Sequence, residues 1–369
     1  MEVVRTIGIR GAGLAGLSVA QELLTLDPKL SITLFDVRPR LPHPKRTFCF
    51  FQRGDTERLS VPAFSWDTVM FRVGDFERRI AVSASPYRMI RGDDFFEDIL
   101  RQLEARGVTF RWNCREVSIE AQAIRADGEV VAFDRVVDAA FAPHDANSRM
   151  WQSFAGVWVT TEAPSFDPTT ALLMDLQESS DEAPVSFLYV LPTSRHTALV
   201  EHTTFSVTRM PKQYHLDRCF EWLQARAPGF KQPGEVEYGA IPMGLDVRVN
   251  NGLVVVGSNS GVVRPATGYA FLAAREQARQ VSRHILNGED RGRSRSRAYP
   301  RWLEAADNLF LLALRSAPKR GHDIMERLLS RAHGDALVSF LSGGVSLPEA
   351  LSVWLAVPKL TMIRSLLRV

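Results

Sequence analysis

The hydrophobic pattern at the front of the chain switches twice between strand and helix periods. Val3–Ile9 is a short, nearly continuous apolar run, as in a strand covered on both faces, and Gly11–Gly16 is a glycine turn. Leu17–Leu26 then repeats apolar residues at helical spacing, and Ser31–Asp36 is a second strand. Together they predict a β-α-β unit. Residues 91–107, "RGDDFFEDILRQLEARG", predict an amphipathic helix with Phe95, Ile99, Leu100 and Leu103 on one side. Its acids lie in the first turn, where the helix dipole favours them. Val108–Trp112 reads as a strand, Ala123–Phe133 as a hairpin turning at Asp127-Gly128, and Arg135–Phe141 as a buried strand.

From about residue 150 the texture changes. "GVWVTTEA", "TALLMDLQ", "VSFLYVLP", "HTALVEHTTFSV" and "EVEYGAIPM" are strand-like segments split by Pro and Asp/Ser clusters. One helical stretch, 217–227, interrupts them. This predicts a mostly antiparallel sheet inserted between two parts of an α/β domain. After a glycine-punctuated loop come helical patterns only, at 269–287, about 300–316, 320–333, 335–343 and 347–356. The expected division is 1–149 and 246–290 as one cofactor-binding domain, 150–245 as a β-rich substrate domain, and 291–369 as a helical region. The fold class is α/β (α+β).

Composition narrows the function classes. With 369 residues and 45% hydrophobic residues the chain can bury a large core. A net charge of +3 does not mark a nucleic-acid binder. The arginine-rich stretch "EDRGRSRSRAYPRW" (289–302) reads as a solvated loop, because no aromatic residues alternate within it as base-stacking platforms. Cys49, Cys114 and Cys219 are odd in number and far apart, so neither a disulfide framework nor a metal site is expected. The N-terminus lacks the pattern of a signal peptide, and no window carries 18 successive apolar residues. The expectation is a cytoplasmic protein.

Two loops carry candidate chemistry. Gly11, Gly13 and Gly16 form G-x-G-x-x-G (with Ala12, Leu14 and Ala15 between them) after a strand and before a helix. Asp36 ends the next strand twenty residues later. Gly11 permits the tight turn, Gly13 lets backbone approach a pyrophosphate, and Gly16 lets helix and strand pack closely. Asp36 is placed to accept from a ribose hydroxyl. The second loop, "GSNSGVVRPATGY" (257–269), again follows a strand and precedes a helix. Gly257, Ser258, Gly261, Pro265, Thr267 and Gly268 are its candidate cofactor contacts. One elongated dinucleotide such as FAD explains both: its ADP half on the first loop, its flavin end at the second. Arg46 is a further candidate contact.

Five stretches give the chain a family resemblance: "GAGLAGLSVA", "RTFCFF" (46–51), "LLMD" with "FLYVLPTSRHTALVEHTTFS" (172–206), "EYGAIPMG" (237–244) and "SGVVRPATGYAF" (260–271). In that order, nearly over the whole chain, it resembles the bacterial lycopene cyclases, flavoproteins of the FAD-binding hydroxylase-like fold. The resemblance implies cyclisation of an acyclic polyene end without net redox change. It also implies FAD in its reduced form, with NADPH as the reductant it would draw on. Glu201, in the family's acidic motif, would be the proton donor. The residue's own setting agrees: it lies in a largely apolar strand, and an apolar pocket keeps a carboxyl protonated. Phe48, Phe50, Phe205 and Tyr269 are candidates to line the substrate and stabilise a cation.

The chain departs from the family at His202, where Asp is usual, at Ala140, where Arg is usual, and at Phe48, where Trp is usual. His202 is a proton relay to Glu201 or a strand residue facing solvent. The alternative function is a class A FAD/NADPH monooxygenase acting on an apolar substrate. Such enzymes usually carry Gly-Asp where this chain has Gly257-Ser258, and an Asp-Gly motif that "VVDAAF" matches poorly. A geranylgeranyl-reductase-like enzyme is a third reading, and a nucleic-acid or membrane-binding module a fourth. Because polyenes dissolve in bilayers, and "VWLAVPKLTMIRSLLRV" (353–369) is basic and amphipathic, peripheral contact with the inner face of a membrane through the C-terminal helices is expected.

Overall fold

The computed structural model describes residues 4–40, 45–52, 59–120, 122–141, 148–231, 234–245, 253–288 and 299–358. In chain order the front part holds β1 (Thr6–Arg10), α1 (Leu14–Leu26), β2 (Ser31–Phe35), β3 (Thr47–Phe51), β4 (Phe64–Trp66), β5 (Thr68–Val73), β6 (Phe76–Ala81), β7 (Tyr87–Arg91) and α2 (Gly92–Ala105). It continues with β8 (Thr109–Arg111), β9 (Val117–Glu120), β10 (Ala123–Ala126), β11 (Glu129–Ala132) and β12 (Arg135–Asp138). The middle holds β13 (Met150–Thr160), β14 (Thr170–Leu176), β15 (Val185–Pro192), β16 (Thr197–Ser206), α3 (Lys212–Arg226) and β17 (Glu235–Met243). Then come β18 (Val254–Val255), α4 (Phe271–Leu286), α5 (Arg301–Ser316), α6 (Gly321–Arg331), α7 (Gly334–Ser342) and α8 (Leu347–Ala356). The arginine run over 289–298 and the tail from 359 on lie outside the described residues.

A parallel sheet in the order β18-β12-β1-β2-β8 forms the first layer system. β1 is apolar because both its faces are covered. Ile7, Ile9 and Leu34 share a core with Leu17 and Leu23 of α1, Phe96 and Leu100 of α2, and Val281 of α4. The meander β9–β11 covers another part of this sheet, through Phe35, Ile124, Phe133 and Val136. Its turn is at Asp127-Gly128, both with positive φ. Gly8 admits the meander: a Cβ there would lie 2.5 Å from the Phe133 ring.

The second system is a seven-stranded sheet, β17-β13-β16-β15-β14-β5-β6. Its neighbours are antiparallel apart from the parallel pair β14–β5. Two of its strands, β5 and β6, come from residues 68–81, outside the 150–245 stretch. α3 packs on one face through Cys219 and Leu223 against Val157, Leu188 and Val200. Phe187, Leu199 and Phe205 share a core with Ile324, Leu329 and Leu337 of the C-terminal helices.

The small sheet β3-β7-β4 joins the two systems. β3 does so by alternation: Phe48 and Phe50 belong with the parallel-sheet core, Cys49 and Phe51 with the other. A buried ion pair fastens the C-terminal helices. Arg264, in the loop before α4, gives Asp307 of α5 two hydrogen bonds, from Nε (2.9 Å) and Nη2 (3.1 Å). It also donates to the carbonyls of Phe340 and Leu341 at the end of α7. α8 starts with a capping box between Ser346 and Glu349.

Candidate active site

One cavity of about 680 Å³ runs between the two systems and is lined by both loops singled out from the sequence. At the first loop the glycines do separate jobs. Gly11 has φ +99°, and a Cβ on it would lie 2.9 Å from the backbone of Ala139 and Ala140. A Cβ on Gly16 would be 2.0 Å from the Gly11 carbonyl oxygen. Among the described residues a Cβ on Gly13 would meet only Arg38 Nη2, at 3.8 Å, so this glycine opens on the cavity.

Asp36 is 5% exposed, and its carboxylate is filled. It accepts from Ala12 N (2.7 Å) and from Arg38 N (2.8 Å), Nε (2.9 Å) and Nη2 (2.7 Å). Burial alone would raise its pKa, but the Arg38 guanidinium and these hydrogen bonds hold it below the ordinary value. A ribose hydroxyl would have to displace a donor from Asp36 or turn to Arg38. Arg10, Arg38 and Arg46 all line this end of the cavity. Arg10 grips Asp138 through Nε (2.8 Å) and Nη2 (2.6 Å). Asp138 thus has an arginine partner although Ala140 carries no charge.

The second loop backs onto the first. Gly257 has φ +77°, and a Cβ on it would lie 2.9 Å from Ala15 Cβ at the start of α1. Gln277 of α4 steadies the loop by accepting from Gly257 N (2.8 Å) and donating to Ser260 Oγ (2.7 Å). Gly261 is left-handed, φ +78°, and ends a short 3₁₀ turn. Pro265 and Thr267 form a turn closed by Gly268 N on Arg264 O (2.9 Å). Gly268, φ +70°, leaves room for Gln152, whose Oε1 would be 1.9 Å from a Cβ there. That buried Oε1 has no partner among the described residues and belongs to a cavity-lining residue. The N-termini of α1 (Leu14, Ala15) and α4 (Ala270, Phe271) both open on the cavity, so free N–H groups meet an elongated anion at two places. Two close-approach glycine loops, three arginines and an orphaned acceptor fit FAD.

Beyond the loops the cavity turns aromatic, with Phe48, Tyr87, Tyr189 and Tyr269 beside Leu199 and Glu201. Tyr87 and Tyr269 hydroxyls are 3.4 Å apart. Among the described residues Glu201 takes one hydrogen bond, from Thr203 Oγ1 (3.2 Å). Burial, then the charge of Glu237, push its pKa up to about 8, against the weaker pull of Thr203. At neutral pH it therefore holds a proton in an apolar, aromatic setting.

A family model described as "Lycopene cyclase protein" matches residues 7–367. The chain belongs to the lycopene cyclase family. Among curated relatives, chloroplastic neoxanthin synthase of Solanum tuberosum is 26% identical over 196 residues, 48% of this chain and 39% of the relative. This cyclase-family chain therefore matches well under half of that relative's length. Among solved structures, a geranylgeranyl bacteriochlorophyll reductase-like protein from Thermoplasma acidophilum aligns with TM-score 0.62 at 14% identity, over 98% of each chain. CtdE, solved in complex with FAD and a substrate, aligns with TM-score 0.57 at 13% identity over 99% of this chain and 100% of CtdE. At such identities the likeness establishes the fold, the FAD-binding hydroxylase-like architecture.

In this lycopene cyclase family member the cavity brings together Gly11, Gly13, Leu14, Ala15, Asp36, Arg46, Phe48, Glu201, Gly257, Ser258, Gly268 and Tyr269. Ala12 and Gly16 shape the first turn from behind, as Gly261, Pro265 and Thr267 shape the second. Three expectations need correction. His202 neither relays protons to Glu201 nor faces solvent. Strand alternation turns it to the other face, fully buried under α3. There its Nε2 pairs with Ser186 Oγ (2.9 Å) and its Nδ1 with His215 Nδ1 (2.9 Å). Burial and then His215 push its pKa down to about 3, so it stays neutral. Phe50 stacks on Phe271 at 5.1 Å, and Phe205 packs edge-on to Phe187 at 5.8 Å, so both are core rather than cavity wall.

Sequence reasoning missed Arg10, Arg38, Tyr87, Gln152, Tyr189 and Glu237. Arg10 directly precedes Gly11 and Arg38 follows Asp36 by two residues, and Tyr189 and Glu237 lie in stretches that carry the family resemblance.

Proposed function

We propose that the protein cyclises the acyclic end of a lycopene-like polyene, with FAD as cofactor and no net redox change. The observation that supports it most is the place of Glu201 inside an aromatic cavity continuous with both glycine loops, where burial pushes its pKa up to about 8. Glu201 delivers its proton to a terminal alkene, and one alkene carbon becomes a carbocation. A neighbouring double bond attacks that carbon, a carbon–carbon bond closes the ring, and loss of a proton restores neutrality. Mass is unchanged. Reduced FAD, when bound, supplies negative charge beside the cationic states, with NADPH as the source of reducing equivalents. Arg38, Arg46 and the N-terminus of α1 would hold its phosphates, and Gly257, Ser258 and Gly268, with the N-terminus of α4 that follows them, would give its flavin end a close wall. Phe48, Tyr87, Tyr189 and Tyr269 offer ring faces to the cation and exclude water.

The same reading places the protein at the cytoplasmic face of a membrane, where such a polyene dissolves. Leu347, Leu351 and Leu355 of α8 are 66%, 57% and 57% exposed, at spacings of four residues on one helix face. No single described helix is long and apolar enough to cross a bilayer. The deciding assay is anaerobic: protein, chemically reduced FAD and lycopene, analysed by mass and absorption. An isomer of unchanged mass supports cyclisation. A product carrying one added oxygen, formed only in air with NADPH consumed, replaces it with the monooxygenase reading. Flotation with anionic vesicles tests attachment, and Leu351→Glu with Leu355→Glu is expected to abolish it.

A further inference from the structure

Glu201 has a second carboxyl as its neighbour, two strands away. β13 lies between β16 and β17, and its Gly156 is in register with Glu201 on one side and Glu237 on the other. Directly opposed residues of antiparallel strands point to the same face, so both carboxyls stand on one side with a bare glycine between them. A Cβ on Gly156 would lie 3.3 Å from Glu201 Oε2 and 3.0 Å from Leu199 Cδ1. The two carboxyls are served unequally. Glu237, 3% exposed and not part of the cavity wall, accepts from Trp158 Nε1 (3.1 Å) and Thr47 Oγ1 (3.1 Å). Among the described residues Glu201 has Thr203 alone.

We propose that Glu201 and Glu237 form a coupled carboxyl pair that carries one proton at neutral pH. Glu237 is the fixed anion that keeps this proton on Glu201, and Gly156 is the gap that lets the pair form. Glu237 is thus a positioning residue. The inference rests on reading Glu201 as the acid of the cyclisation.

The surroundings agree on which member ionises first. Burial raises both, and Glu237 too stays above its ordinary value, but the Trp158 and Thr47 donors pull Glu237 back, while the charge of Glu237 adds to the burial of Glu201. The guanidiniums of Arg46 and Arg91 act on Glu237, opposed by Glu235 on its own strand. Around Glu201 stand Tyr189 of β15, Cys49 of β3 and, from α3 behind the sheet, Cys219. Burial keeps all three neutral, so they bring no compensating charge. Pairs of carboxyls whose environments push their ionisation apart supply an acid beside a fixed anion.

The test compares pH–rate profiles of flavin-loaded wild type and Glu237→Gln. Removing the negative charge should let Glu201 lose its proton earlier. The alkaline limb then moves to lower pH by roughly one unit or more, the scale of one nearby charge, while the rate in mildly acidic buffer changes little. A uniform loss with the limb in place would mean that Glu237 only supports the fold, and it overturns the proposal. Infrared titration of ¹³C-glutamate-labelled, flavin-free wild type needs neither turnover nor a variant. It should show a protonated carboxyl at neutral pH that disappears as pH rises through about 8. No protonated carboxyl in the wild type at neutral pH overturns the pair. A wild type that shows the band but never cyclises a polyene keeps the pair and overturns only the proposed function.

Discussion

Asp36 and Glu201 are carboxyls on one cavity, and they are kept in opposite states. Asp36 takes four hydrogen bonds, two from the side chain of a guanidinium, and stays charged despite burial. Glu201 takes one hydroxyl, faces tyrosines, and has an acidic neighbour in place of a cation. The cofactor end is thus a fixed, charged cradle, and the far end favours a neutral carboxyl. The difference lies in the number and charge of donors around each carboxyl, since both are withdrawn from bulk water.

The largest effect is expected from Glu201→Gln. It removes the proton but keeps the shape, so cyclisation should fall by about 10²–10⁴-fold, the usual contribution of a general acid. Flavin content and thermal stability should stay near wild type, checked by absorbance and melting. Turnover at the wild-type rate would remove Glu201 from the acid role. In the unaltered protein the rate should fall as pH rises through about 8, because the carboxyl is competent only while protonated.

Asp36→Asn tests whether the ends are separable. It loosens Arg38 and should weaken FAD retention by about 1.5–3 kcal/mol, the range for hydrogen bonds to charged groups, read by flavin titration. The alkaline limb should not move. If it does, the two ends share one electrostatic system. The smallest effect on turnover is expected from His202→Gln. It disturbs the Ser186 and His215 contacts, so stability should drop by about 1 kcal/mol in denaturant unfolding. The pH profile should be unchanged, and a shifted one would return His202 to the proton path.

Much of this was legible along the chain. Glycine spacing marked the first loop, and the 3.6-residue period placed α4 to α8 to within a few residues, because both signals are local. β3 to β7 were missed. They are short, several are mixed in character, and β5 finds its parallel partner β14 about a hundred residues later, which no local pattern records. Glu201 was legible as a lone acid in an apolar strand, and the same period of two already implied that His202 must face the other way. Phe50 and Phe205 were not separable from Phe48, because an aromatic residue in a core and one on a cavity wall present the same letter. Glu237 acts through Trp158 and Thr47, which only the tertiary fold brings to it, whereas Arg38 pairs with Asp36 two residues away and was within reach of a local reading.

The ion pair between Arg264 and Asp307 has a thermodynamic consequence. Arg264 sits in the loop that would wall the flavin, and its other partners are on α5 and at the end of α7. Order in that loop and docking of the C-terminal helices are therefore linked equilibria. Whatever binds the ordered loop also stabilises the helices, by an amount set by ligand concentration over its dissociation constant. A defect in the helices, far from any glycine motif, would be felt as loss of cofactor.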